Sequence, residues 1–135
     1  MSQQMVGDVI TLPAASGSVP AFRIASVNSS GQCAIAVSTT SVQIGVTNND
    51  ASSTGEAVGI IINGTGKVAC GASVAAGVVV GMQTDTGKVI DVLDTADTTT
   101  TAVPRAIGVS LQAGSTNSII EITIQPVHRN RDASA

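Results

Sequence analysis

The chain has 135 residues, a formal net charge of −3 and only 11% charged side chains. That length suits one domain with a modest core. The acidic balance excludes a basic stripe that would displace counterions from nucleic acid, and no run approaches the roughly 20 apolar residues needed to cross a bilayer.

The core material is unusual: 18 Val and 13 Ile stand against 3 Leu, with 15 Thr. Branched Cβ atoms stiffen χ1 and fit a pleated surface better than a helix. Phe22 is the single aromatic residue, so base stacking is absent and the core must be built from Val, Ile and Ala. Each buried Val or Ile contributes about 1.5–3 kcal/mol, a thin margin after chain entropy, which makes help from oligomerisation or a partner an expectation.

Residues 1–7 read as a flexible N-terminal arm without the charged and apolar regions of a signal peptide. A β-barrel-like domain is expected over 8–126. Val9–Leu12 forms a first strand ended by Pro13, and Phe22–Val27 and Cys33–Val37 flank a turn at Asn28–Gly31. Val42–Val46 follows, then a polar loop over Asn48–Gly55. Val58–Ile62 leads into Asn63-Gly64, a hairpin signal in which both central residues take positive φ, with Lys67–Cys70 as the returning strand. Val78–Met82 and Val89–Val92 flank Thr84-Asp85-Thr86-Gly87, a second hairpin. The irregular segment Asp91–Pro104 precedes Ala106–Leu111 and Ile119–Gln125, where Ile120, Ile122 and Ile124 alternate with Glu121, Thr123 and Gln125. Residues 127–135 read as a polar C-terminal tail. The fold class is all-β: about nine short strands in a small single-domain barrel or sandwich-like meander. Thr-Gly-Lys-Val occurs at 65–68 and 86–89 and reads as one turn solution used twice, not as a repeat architecture.

The residues that could carry chemistry read mostly as structure. Asp85-Thr86-Gly87 is the aspartic-protease tripeptide, and a dimer could bring two such carboxylates together. Lys88 follows where that loop needs a small residue, however, so a hairpin turn is expected. Gly64-Thr65-Gly66-Lys67 lacks the first Gly and the final Ser or Thr of a phosphate loop. Asp91, Asp94 and Asp97 lack the alternate spacing and closing Glu of a calcium loop. His128 is the single His and lies beside Arg129 and Arg131 in the tail. Arg23 and Arg105 suit a barrel rim or an acidic partner, and Glu56 and Glu121 read as exposed. Cys33 and Cys70, isolated among apolar neighbours, read as buried reduced thiols, with a disulfide open if they are adjacent. No catalytic, cofactor-binding or metal-ligating residue is expected, and the chain is read as no enzyme.

An ordered series from Gly55 to Gln125 resembles the capsid decoration, or cement, proteins of tailed bacteriophages. It runs from Gly55-Glu56-Ala57-Val58 through Gly66-Lys67-Val68-Ala69-Cys70-Gly71 and Val74-Ala75-Ala76-Gly77 to Asp85-Thr86-Gly87-Lys88-Val89. Arg105-Ala106-Ile107-Gly108-Val109-Ser110-Leu111 and the Ile119–Ile124 strand complete it. Gly7-Asp8-Val9-Ile10-Thr11 and Gln43-Ile44-Gly45-Val46 are similar to earlier landmarks, while Val78 stands where many relatives carry Asp. The resemblance implies a β-barrel-like virion protein, made in the host bacterial cytoplasm, that binds the major capsid protein on the outer shell surface. There it would sit as a homotrimer where capsid subunits meet, with no nucleic-acid, membrane or cofactor partner. A phage fibre or surface-adhesion module is the alternative, and a homodimeric aspartic protease a more distant one.

Overall fold

A computed structural model of the chain describes residues 7–37, 42–83, 85–91 and 106–125. These residues contain no helix and ten strands: β1 (Val9–Pro13), β2 (Ile24–Val27), β3 (Cys33–Ile35), β4 (Gln43–Thr47), β5 (Ala57–Ile61), β6 (Gly64–Ala69), β7 (Val79–Met82), β8 (Val89–Asp91), β9 (Ala106–Val109) and β10 (Ile119–Ile124). The all-β expectation holds, with ten strands where about nine were expected. The polar tail and nearly all of the arm and of Asp91–Pro104 lie outside the described residues.

Strand pairing shows an internal order that sequence reading missed. The first five strands form one sheet in the order β1-β5-β4-β2-β3. The other five form a β10-β6 pair and a β8-β7-β9 sheet. A bridge between Ser110 and Ile122 sets β9 beside β10, and the Gln125 N–H donates to Ile107 O at 2.7 Å. The second series is therefore β6-β10-β9-β7-β8, the first order repeated strand for strand.

The irregular features repeat too. In β2–β4 the register shifts between Ala25 and Ser26, and in β7–β9 it shifts between Val80 and Gly81. Such bulges add a residue to one strand and bend it. A parallel bridge joins Ala14 to Cys33, and another joins Cys70 to Val89. An antiparallel bridge joins Val19 to Ala51, and another joins Val74 to Gly114. The chain is two copies of one five-stranded unit, a repeat architecture after all. The two Thr-Gly-Lys-Val stretches do not mark it: one begins β6 and the other closes the β7–β8 turn, both within the second unit. Among the described residues no sheet closes into a barrel; β1 returns to β3 through the Ala14 bridge alone.

Each unit curls around its own apolar centre. The first encloses Ala14, Val19, Ala25, Cys33, Ala51, Val58 and Ile60. The counterparts Cys70, Val74, Val80, Val89, Ile120 and Ile122 lie in the second cluster. That cluster also takes in Ile24, Val46 and Ile61, from the opposite face of the first sheet. Successive strand residues point to opposite faces, so the first sheet is buried on both sides and ties the two units into one domain. Burial of β-branched residues without aromatics supplies the driving force.

The Asn63-Gly64 hairpin is not formed. Gly64 takes φ 88°, but Asn63 is not among the positive-φ residues. β5 pairs with β1 and β4, while β6 pairs with β10, so this turn hands the chain from one unit to the next. The Asn63 side chain instead secures the start of β1: its Oδ1 accepts from Asp8 N–H at 2.7 Å and its Nδ2 donates to Asp8 Oδ2 at 2.7 Å. The second expected hairpin, β7–β8, is present. Phe22 precedes β2 in a positive-φ conformation (62°), which excludes it from the strand expected to begin there.

Candidate interaction surface

The residues singled out for chemistry are spent on the fold. Asp85 is exposed in the β7–β8 turn with φ 73°. The Thr86 hydroxyl donates to Gln83 Oε1 at 2.7 Å and accepts from the Lys88 N–H at 3.1 Å. Asp85 N–H donates to Val37 O at 2.7 Å, and Gly87 O accepts from Ile24 N–H at 2.7 Å. The tripeptide thus locks the second unit's turn onto the first unit. Gly64-Thr65-Gly66-Lys67 lies within β6 with a strand, not a helix, beyond it. Asp91 ends β8 half-buried, and Asp94, Asp97, Arg105, His128, Arg129 and Arg131 lie outside the described residues. Among the described residues no group of three or more His, Cys, Asp or Glu could hold a metal ion.

Cys33 and Cys70 are both free and buried. They belong to different apolar clusters, which answers the disulfide question. Burial pushes the Cys33 thiol up to about 11 and raises Cys70 as well, so both are poor nucleophiles.

The acidic residues divide differently from expectation. Glu56 is exposed and caps its loop, its Oε1 accepting from Ser52 N–H at 2.8 Å and Ser53 N–H at 3.1 Å. Glu121 is a correction: it is only 2% exposed. The Thr65 hydroxyl donates to its Oε2 at 3.1 Å, and its own N–H donates to Gln112 Oε1 at 2.9 Å. β10 is thus buried at Glu121 as well as on its isoleucine face, because Gln112 and Thr65 come over the face that period-2 reasoning assigned to solvent. Arg23, just before β2, is half-buried, with Nε buried and lacking a hydrogen-bond partner among the described residues.

What the described residues offer outward is apolar sheet surface. On the first unit, Leu12, Ile35, Ile44 and Ile62 pack only partly buried against the inner cluster. Ile10, directly opposite Ile60 on the neighbouring strand, is 37% exposed beside them. On the second unit Leu111 and Ile119 are 47% and 45% exposed. Singly exposed apolar residues are ordinary, whereas a contiguous face marks contact with another surface. Sequence reading missed this face because it spans strands distant in the chain.

This arrangement defines a class: a two-unit all-β module that presents apolar sheet faces. Among solved structures the chain is similar to "head fiber gp8.5 N base in bacteriophage phi29", with a TM-score of 0.66 and 16% sequence identity, covering 91% of this chain and 98% of that one. No protein-family model matches the chain. No curated protein matches it either.

Proposed function

We propose that the chain is a non-enzymatic structural protein of a tailed-bacteriophage head, which decorates the outside of the shell and braces the major capsid subunits where they meet. The observation that carries this reading is the fold's likeness, over 91% of the chain, to the base of a phage head fibre. The ordered series from Gly55 to Gln125, which resembles capsid decoration proteins, supports it from the sequence. The mechanism is linkage: a protein that binds only the assembled shell adds its binding free energy to that state alone. Many copies on one lattice make weak single contacts sufficient, so the absence of aromatic anchors in this chain is no obstacle.

A second reading is favoured by the same likeness, since the similar protein is the base of a fibre. In it the chain seats an adhesion fibre on the head. One experiment separates the two. Purified protein is added to expanded shells lacking it, and copies bound, resistance to heating and osmotic shock, and adsorption to cells are measured. Decoration predicts saturable, stoichiometric binding and a more resistant shell. A fibre base predicts binding without added resistance, together with loss of adsorption when the chain is missing. No binding to shells defeats both readings.

A further inference from the structure

The first unit has an apolar face that no described residue covers, and the chain itself displays what such a face accepts. In the second unit the equivalent face is covered by the first unit. Ile24, Val46 and Ile61 point away from the first unit's centre and share a buried cluster with Val68, Val80 and Ile124 of the second. Ile61 fits a hole left by a glycine: a Cβ at Gly66 would stand 3.2 Å from Ile61 Cδ1 and 2.7 Å from Ile124 Cδ1. The Ala69 N–H donates to Phe22 O at 2.9 Å and secures the stack.

Both partners of that contact have counterparts left open. On the first unit the place of Gly66 belongs to Ile10, since Ile10 faces Ile60 and Gly66 faces the equivalent Ile122. On the second unit Val79, Val109 and Thr123 stand where Ile24, Val46 and Ile61 stand in the first. All three are half-buried, whereas their counterparts are at most 1% exposed.

We propose that a second copy of this chain docks the outward face of its second unit on the open face of the first, repeating between chains the stacking found within one. The sizes at the centre differ. Inside the chain Ile61 meets Gly66, whereas between chains Thr123 meets Ile10, a bulkier pair by the difference between Thr and Gly, so the copies stand slightly further apart at this point. One bond is lost. Pro13 occupies the place of Ala69, directly opposite Ala57 as Ala69 is opposite Ile119, and it has no N–H to donate. The contact between copies is therefore weaker than the one inside. It is also heterologous: every chain offers one face of each kind, so copies join head to tail and close into a ring where the rotation permits. This inference stands apart from the capsid reading and names the surface by which copies meet under either function.

The test uses the full chain with no shell present, so its failure would leave shell binding untouched. Ile10→Cys and Thr123→Cys chains are treated with a short bis-maleimide, each alone and mixed. Cys33 and Cys70, at 0% exposure, stay out of reach. The expected result is a cross-linked dimer in the mixture and none in either chain alone. Sedimentation of the unmodified chain should shift beyond the monomer as concentration rises. That shift should be lost in Ile44→Asp or, from the opposite face, Val109→Lys; thermal melting shows which variant remains folded. A chain monomeric at every concentration, or a dimer cross-linked from Ile10→Cys alone, overturns the proposal.

Discussion

Thr47 and Ser110 do the same work in the two units. The Thr47 hydroxyl donates to Pro20 O at 2.8 Å and accepts from the Arg23 N–H at 3.0 Å. The Ser110 hydroxyl donates to Ala75 O at 2.6 Å and accepts from the Val78 N–H at 3.1 Å. Both residues are at most 1% exposed. Each hydroxyl pins the strand that follows a loop to the strand across from it, adding to the backbone bonds Thr47 N–H to Arg23 O and Ser110 N–H to Val78 O.

Removing either hydroxyl without changing the shape should therefore cost more than an average hydrogen bond. Thr47→Val and Ser110→Ala each remove the hydroxyl that serves both a carbonyl and an N–H. The expected loss is about 1–3 kcal/mol in each case, read from urea unfolding midpoints. Thr47→Ser keeps both bonds and should lose less. Equal midpoints for Thr47→Val and the unaltered chain would refute the role given to the hydroxyl.

Gly45 and Gly108 are a second equivalent pair. A Cβ at Gly45 would collide with Ile61 O, and one at Gly108 with Thr123 O. A carbonyl held in a sheet cannot step aside as a side chain can. Gly45→Ala and Gly108→Ala should each cost about 3 kcal/mol or more, at or beyond the upper end for overpacked sites. Gly17→Ala is the control, since its nearest neighbour would be Ser52 O at an ordinary 3.7 Å; its melting temperature should barely move.

Gly55 and Asn117 close equivalent turns with φ 88° and 70°. A side chain there meets the left-handed penalty, about 1–2 kcal/mol for most residues and less for Asn. Gly55→Asn should be tolerated, Gly55→Val should lose stability by about that amount, and Asn117→Gly should be neutral or stabilising. Calorimetric melting of the three variants gives the order.

The buried thiols make stability depend on alkaline pH. The folded Cys33 pKa is raised from 9.0 to about 11 by burial, so the unfolded chain releases this proton first. Its contribution is fully present below 9.0 and is lost as pH rises from there through about 11. Cys70 shifts in the same direction for the same reason. The urea midpoint should fall across that window, and fall less in Cys33→Ala. Near neutral pH a thiol reagent should modify neither cysteine until denaturant is added.

Much of the local structure was legible. β-branched runs bounded by Gly, Asn and Pro located every strand, because a half-buried pleated strand imposes its period on the residues. The β7–β8 turn was legible because its two ends lie close in the chain. The Asn63-Gly64 turn misled because the same dipeptide suits a hairpin and a handover between units; which one forms depends on what β6 finds to pair with, and Ile119–Ile124 lies far downstream. Glu121 misled because its cover comes from Gln112 and Thr65, on other elements.

The duplication was hidden for a physical reason. Many equivalent positions keep apolar character without keeping identity: Ala14 answers to Cys70, Val58 to Ile120 and Cys33 to Val89. By itself the sequence determined an all-β chain with short strands and small-residue cores, since backbone preference and side-chain period act over a few neighbours. Only the tertiary structure decided which strands pair, that five strands recur as five more, and which apolar face is covered and which left open. Those are contacts between distant segments, and hydrophobic burial has no direction of its own until the chain has chosen its partners.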